Sequence, residues 1–166
     1  MTDGPNAEDV NMRKSVSASM EAKMLEILHK VVPDVKCVGL LETADAGKVK
    51  DEDLTSFQVR AYDFKQPNEA TAAFTLKVEV RLNVEQAESA NGGLFYDAHE
   101  RFALWLERVM LGDNCKELET DEAYVNGFQR TGDDKDFDTT DGVWFAIWNM
   151  TISGRIRETE KEAANG

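Results

Sequence analysis

The side chains most suited to chemistry sit between Asp113 and Asp141, where ten residues are Asp or Glu and three are Lys or Arg. The densest part is Asp133, Asp134, Asp136, Asp138 and Asp141, followed by Gly142. Hard cations take such oxygen ligands. The spacing fails for a calcium loop of the EF-hand type: with Asp134 in first place, the glycine position holds Thr139 and the bidentate glutamate position holds Phe145. The run reads as a solvated hairpin loop, with an irregular oxygen-ligand site as the alternative. His29 and His99 each stand alone on a predicted helix without a His or Cys at ligand spacing, and read as surface or helix-face residues.

Covalent chemistry has no better footing. No Gly-x-Ser-x-Gly elbow is present. Cys115 lies among Asp113, Glu117 and Glu119, an acidic setting rather than the electropositive one of a catalytic thiol. Cys37 and Cys115 read as two reduced thiols, Cys37 within a strand, because two cysteines make neither a zinc motif nor a disulfide framework. Asn91-Gly92-Gly93 lacks the Lys-Ser/Thr that a phosphate loop requires. Paired carboxylates arise by chance in so acidic a chain and do not point to a glycosidase. The expectation is a protein that is not an enzyme and holds no cofactor and no metal.

Attention moves to Val143–Ile156, VWFAIWNMTISGRI. One parity, from Trp144 through Trp148 to Ile156, has no polar side chain; the other starts as Val143, Phe145, Ile147 and turns polar from Asn149. That pattern predicts a long strand buried on both faces at its start and on one at its end. Trp144, Phe145 and Trp148 sit beside an Asp-rich loop rather than basic residues, so base stacking is disfavoured. Aromatic side chains of this kind anchor subunit interfaces, and these three are the interface candidates.

The other elements follow from periodicity. Met20, Met24, Ile27, Leu28 and Val31 predict an amphipathic helix over 18–31, with Ser15, Ser17 or Ser19 as cap, Glu21 early in the helix, and Pro33 stopping it. A short strand is predicted over Asp34–Leu41 and a charged loop over Glu42–Asp53. A second strand spans Phe57–Phe64, its parity switch at 61–62 hinting at a bulge or a strand end. Pro67-Asn68 marks a turn. Phe74–Val84 alternates most clearly, with Lys77, Glu79, Arg81 and Asn83 on the outer face and cross-strand pairing expected of its charges.

A helix over Leu94–Leu111 buries Phe95, Ala98, Phe102, Trp105, Leu106 and Val109 and ends at Gly112. Ala123–Gln129 reads as a short strand, Tyr124, Asn126 and Phe128 opposing Ala123 and Val125. The predicted class is α+β, order α-β-β-β-α-β-β: a two-layer sandwich with a mostly antiparallel sheet and two helices on one face. Residues 1–14 read as a flexible arm, 15–157 as the single domain and 158–166 as a flexible tail.

A net charge of −13 argues against nonspecific nucleic-acid binding, which needs Lys and Arg to neutralise phosphates. The acidic start MTDGPNAEDVNM is no secretory signal, and no apolar run is long enough for a bilayer. Both predict a chain that stays in the cytosol of the cell that makes it and has no membrane partner.

This order of parts resembles the tail terminator, or tail completion, proteins of long-tailed bacteriophages and their prophage relatives. The likeness covers residues 18–156: the first helix, the strand FTLKVEVRLNV (74–84), the helix LFYDAHERFALWLERVML (94–111) and the final DGVWFAIWNMTISGRI (141–156). The Met-rich first helix and the long acidic loop have no counterpart in that pattern. The resemblance implies a virion protein of the tail or neck, assembled as a homohexameric ring. The ring would cap the tail tube protein and join it to the head-completion or connector protein, with DNA passing through the lumen without sequence-specific binding. Asp133, Asp134, Asp136 and Asp138 would then lie at the lumen or rim. A neighbouring neck ring fits the same pattern. An acidic cytosolic chaperone or adaptor is the alternative, fitted by the charge and the apolar sheet surface.

Overall fold

Alternation along β3 (Ala73–Glu85) sets up the whole sheet. Phe74, Leu76, Val78, Val80, Leu82 and Val84 are all buried on one face, and the residues between them are exposed or half-buried. A strand with one such face needs a covering layer, and the apolar faces of two helices supply it. In the computed structural model, residues 7–40, 54–67, 71–85, 92–111, 114–131, 135–140 and 143–157 are described. The elements are α1 (Ala7–Val31), β1 (Cys37–Gly39), β2 (Ser56–Lys65), β3, α2 (Gly92–Leu111), a 3-10 turn (Asn114–Leu118), β4 (Ala123–Arg130), β5 (Lys135–Thr140) and β6 (Val143–Ile156). The fold is the expected α+β sandwich, with two helices on one face of a mostly antiparallel sheet.

The sheet runs β1-β2-β3-β6-β4, with β5 also on β6. β1 is parallel to β2; all other pairs are antiparallel. β3 pairs with β6 along its length, from Ala73↔Arg155 to Glu85↔Val143. On the other side of β6, β4 takes the end of the strand (Ala123↔Ile156 to Arg130↔Met150) and β5 takes its beginning (Lys135↔Ile147 to Thr140↔Val143). β4 and β5 therefore lie in line, as two halves of one interrupted edge.

Two differences from expectation concern element limits. α1 begins at Ala7 and so extends over part of the expected arm, placing Ser15, Ser17 and Ser19 inside the helix rather than at its cap. Ser19 bonds the Val16 carbonyl one turn back instead (2.9 Å). The acidic segment 130–142 contains β5, held by its ladder to β6 although Asp and Lys are poor strand formers. Expected loops at 42–53, 68–70 and 86–91, the Asp133-Asp134 pair, Asp141-Gly142 and the tail from 158 lie outside the described residues.

Two bulges keep apolar residues on the helix side. In β2 the register shifts between Tyr62 and Lys65, and Asp63 takes a left-handed conformation (φ 57°), which Asp tolerates better than most residues. The inserted residue returns Phe64 to the face of Phe57, Val59 and Ala61, where it stacks on Phe74 at 5.4 Å. The parity switch in the sequence is this bulge. Lys77 (3.2 Å) and Lys65 (3.5 Å) hold the Asp63 carboxylate, and hydrogen bonding by Lys77 is the main cause of its lowered pKa.

In β4 the shift falls between Val125 and Gly127. It pairs Phe128 with Ile152 and packs it against the core, on the side of Ala123 and Val125 rather than of Tyr124 as alternation had predicted. At this bulge the Tyr124 carbonyl rides over Gly154, where a Cβ would collide with it.

The core centres on Trp148, 2% exposed, with Phe57 stacked at 6.2 Å, Phe102 edge-on at 4.9 Å and His99 at 4.9 Å. Met20, Met24 and Leu28 of α1 complete it, all fully buried. Thr120 ties the layers together. Its Oγ1 accepts the Ala123 (3.1 Å) and Glu122 (3.2 Å) amides and lies 3.0 Å from Ser19 Oγ on α1, while its carbonyl accepts from Arg157 Nη1 at 2.8 Å.

Candidate functional site

The candidate residues separate once folded. Trp144 and Trp148 share the helix side of β6 and Phe145 faces the other way, as strand geometry requires. Trp148 fills the core, so its buried surface goes to Phe57, Phe102 and His99 and none is left for an interface. Trp144 is half-buried at the margin of that core. Phe145, half-buried, lies on the sheet face away from the helices, with the Arg81 guanidinium 5.5 Å from its ring centre. Asp136 and Asp138 stand on β5, Asp138 in register with Phe145; Asp133 and Asp134 lie outside the described residues.

His29 is exposed and His99 is buried on α2 against Trp148. Among the described residues no group of three or more His, Cys, Asp or Glu side chains is placed to hold a metal ion. Cys37 donates its thiol to the Val35 carbonyl (3.4 Å), and burial pushes its pKa up to about 11, where it is a poor nucleophile. Two surface furrows are lined by charged side chains of both signs. One, of about 290 Å³, has Trp105 and Ile27 on its floor; there Glu26 holds Lys23 and Lys30, each at 3.4 Å, and Trp105 Nε1 donates to Glu117 Oε2 at 3.2 Å. The other, of about 410 Å³, surrounds Thr120 and Arg157. Neither presents a nucleophile beside a base.

Comparison with protein-family models and with curated proteins finds no match for this chain. Two surfaces of the described fold are open to a partner.

The first is the sheet face opposite the helices, on which no described helix or strand packs. It carries Phe145, Ile147 and Val143 at its apolar end, and Arg60, Lys65, Lys77, Arg81 and Arg155 against Asp63, Glu79 and Glu85. Arg60 and Glu79 are cross-strand partners in register and approach to 3.8 Å, the pairing expected of these charges. Arg60 also lies over the Tyr62 ring at 4.3 Å. Arg60 Nε and Arg81 Nε are buried atoms without a hydrogen-bond acceptor among the described residues. This face is cationic on a chain of net −13.

The second surface is the outer side of α2. Tyr96 is 54% exposed, Leu104 62% and Met110 38%, with Glu100 and Glu107 between them. These positions fall at helical spacing on one stripe. Sequence reasoning concentrated on the buried side of α2. The signal for the other side was present as large apolar residues outside the buried-face periodicity.

Proposed function

We propose that the chain is a structural subunit that works by assembly: a homohexameric ring terminating the tail tube of a long-tailed bacteriophage and joining it to the head connector. One observation carries the assembly reading. Among the described residues the sheet is covered by helices on one side only, and its other side bears Val143, Phe145 and Ile147 beside Arg60 and Arg81. A half-apolar face with charged anchors is the composition of a subunit interface, in which Arg and aromatic residues are enriched. The phage assignment rests on the resemblance in the order of elements, and the reading needs no catalytic residue. Asp136 and Asp138 serve in it as lumen or rim residues that keep passing DNA from sticking.

The deciding experiment is native mass by light scattering after size exclusion, followed by negative-stain imaging. Six copies of the 18.6 kDa chain weigh about 112 kDa. A ring of that mass with a central hole, binding the end of a tail tube, is the expected result. A chain that stays monomeric, alone and with tail tubes added, refutes it.

A second reading, an acidic chaperone or adaptor, is favoured by the exposure of Tyr96 and Leu104. It expects a monomer or dimer that binds an apolar dye in its native state.

A further inference from the structure

We infer that the subunits join head to tail, the outer stripe of α2 in one copy lying on the cationic sheet face of the next. This rests on the assembly reading above and names the two surfaces that meet.

Charge complementarity chooses the occupant. Among the described side chains, the sheet face has five cations and three carboxylates, while the α2 stripe has Glu100 and Glu107 and no cation. Of the two cations flanking the stripe, Arg101 is held by Asp97 at 2.9 Å and Arg108 lines the furrow beside Trp105 and Glu117. Glu100, whose Oε1 lies 3.8 Å from His99 Nδ1, keeps its side chain 71% exposed towards a neighbour. Glu100 and Glu107 are seven residues apart on a helix, about 10.5 Å along its axis. Arg60 and Arg81 stand on adjacent strands two residues out of register, with Cα atoms about 8 Å apart. Long guanidinium arms span the difference, so two carboxylates meet two arginines at once. With Glu107 on Arg81, Met110 at the end of the stripe meets the apolar end of the same face, where Ile147 is in register with Arg81.

The alternative route, strand addition at a sheet edge, is blocked by the edges themselves. β4 is bulged between Val125 and Gly127, β5 is irregular between Lys135 and Asp138, and Ala123 at the start of β4 spends both its backbone groups on Thr120. β1, the other edge, is three residues long. Natural sheets prevent edge pairing by such devices. Two different faces of one chain make a heterologous contact, which generates a ring when the rotation closes.

The test is a charge-reversal exchange with full-length chains. The helix-side variant carries Glu100→Lys and Glu107→Lys; the sheet-side variant carries Arg60→Glu and Arg81→Glu. Each alone places like charges at every junction, and its self-association is expected to weaken at least 100-fold. Mixed in equal amounts, the two restore opposite charges at both kinds of junction and re-form an alternating particle of wild-type mass. A single chain carrying all four reversals assembles by itself. Recovery on mixing also rules out misfolding as the cause of the single losses. Should the sheet-side variant not fold, the helix-side pair, both exposed, still decides by its own mass. Assembly of the wild type that neither variant disturbs overturns these surfaces and leaves the ring standing. A wild type that is monomeric up to hundreds of micromolar and on tail tubes overturns both.

Discussion

Gly154 is where one added methyl group should do most harm. A Cβ there collides with the Tyr124 carbonyl oxygen and comes to 3.1 Å from Cζ of Phe74. Neither neighbour gives way readily. Phe74 is 2% exposed and stacked on Phe64, and Tyr124 is a backbone group pinned between its pairing with Arg155 and the Thr120 network. Gly154→Ala must therefore push the start of β4 away from β6. Losing two ladder hydrogen bonds costs about 2 kcal/mol and overpacking about 1–3 kcal/mol more, against a gain of up to about 1 kcal/mol from replacing a strand glycine. The net loss is about 3 kcal/mol, a fall in Tm of about 6–12 °C for a chain of this size. Gly127→Ala is the control, since its Cβ comes only to 3.3 Å from the Ser153 Cβ, and its Tm should move by about 2 °C or less. Thermal melts followed by circular dichroism compare the two. If Gly154→Ala melts with its control, or higher as strand propensity alone would have it, the close approach at the bulge is refuted.

Other perturbations test separate parts of the account. Trp148→Ala should cost about 3–5 kcal/mol in urea unfolding, because it empties the centre of the core; a loss of mass without a loss of stability would return this residue to the interface. Thr120→Val should cost about 1–2 kcal/mol, leaving the Glu122 and Ala123 amides without their acceptor, and hydrogen exchange at those two amides should rise with it. Cys37 titrates near 11 when folded and near 9 when free, so unfolding releases its proton more easily. Its contribution to stability is complete below about pH 9 and is lost as the pH rises through 11, and alkylation of the native thiol at pH 8 should run about 100-fold slower than that of a free one.

How much could be read beforehand varies by element. β3 was plain because six apolar side chains alternate without interruption, and the parity switch at 61–62 announced the β2 bulge. Phe128 was assigned to the wrong face because a bulge in β4 leaves no mark in a strand that ends a few residues later. β5 was hidden by composition: KDFDTT is poor in strand formers, and only its pairing with β6 makes it a strand. The Asp141-Gly142 dipeptide, a hairpin signal between two strands, was the clue available. The start of α1 has no apolar periodicity to reveal it. Of the interface candidates, Phe145 could be told from Trp144 and Trp148 by parity, but the burial of Trp148 depended on Phe57 and Phe102 arriving from distant parts of the chain. The outer stripe of α2 was legible, had its large exposed side chains been weighed as well as its buried ones.

The position of β6 has a consequence for how the molecule forms. It is the last described strand in the sequence, yet it lies inside the sheet, with β3 on one flank and β4 and β5 on the other. Until residues 143–156 arrive, β1–β2–β3 is a three-stranded piece with β3 unpaired along its length, and β4 and β5 have nothing to pair with. The central pairings join positions some seventy residues apart, so the chain must close a long loop before the sheet repays it, which makes for slow folding. Translation through α2 yields apolar strands waiting for their centre. A chain cut short before Val143 would be an exposed-edge aggregator rather than a smaller version of the domain.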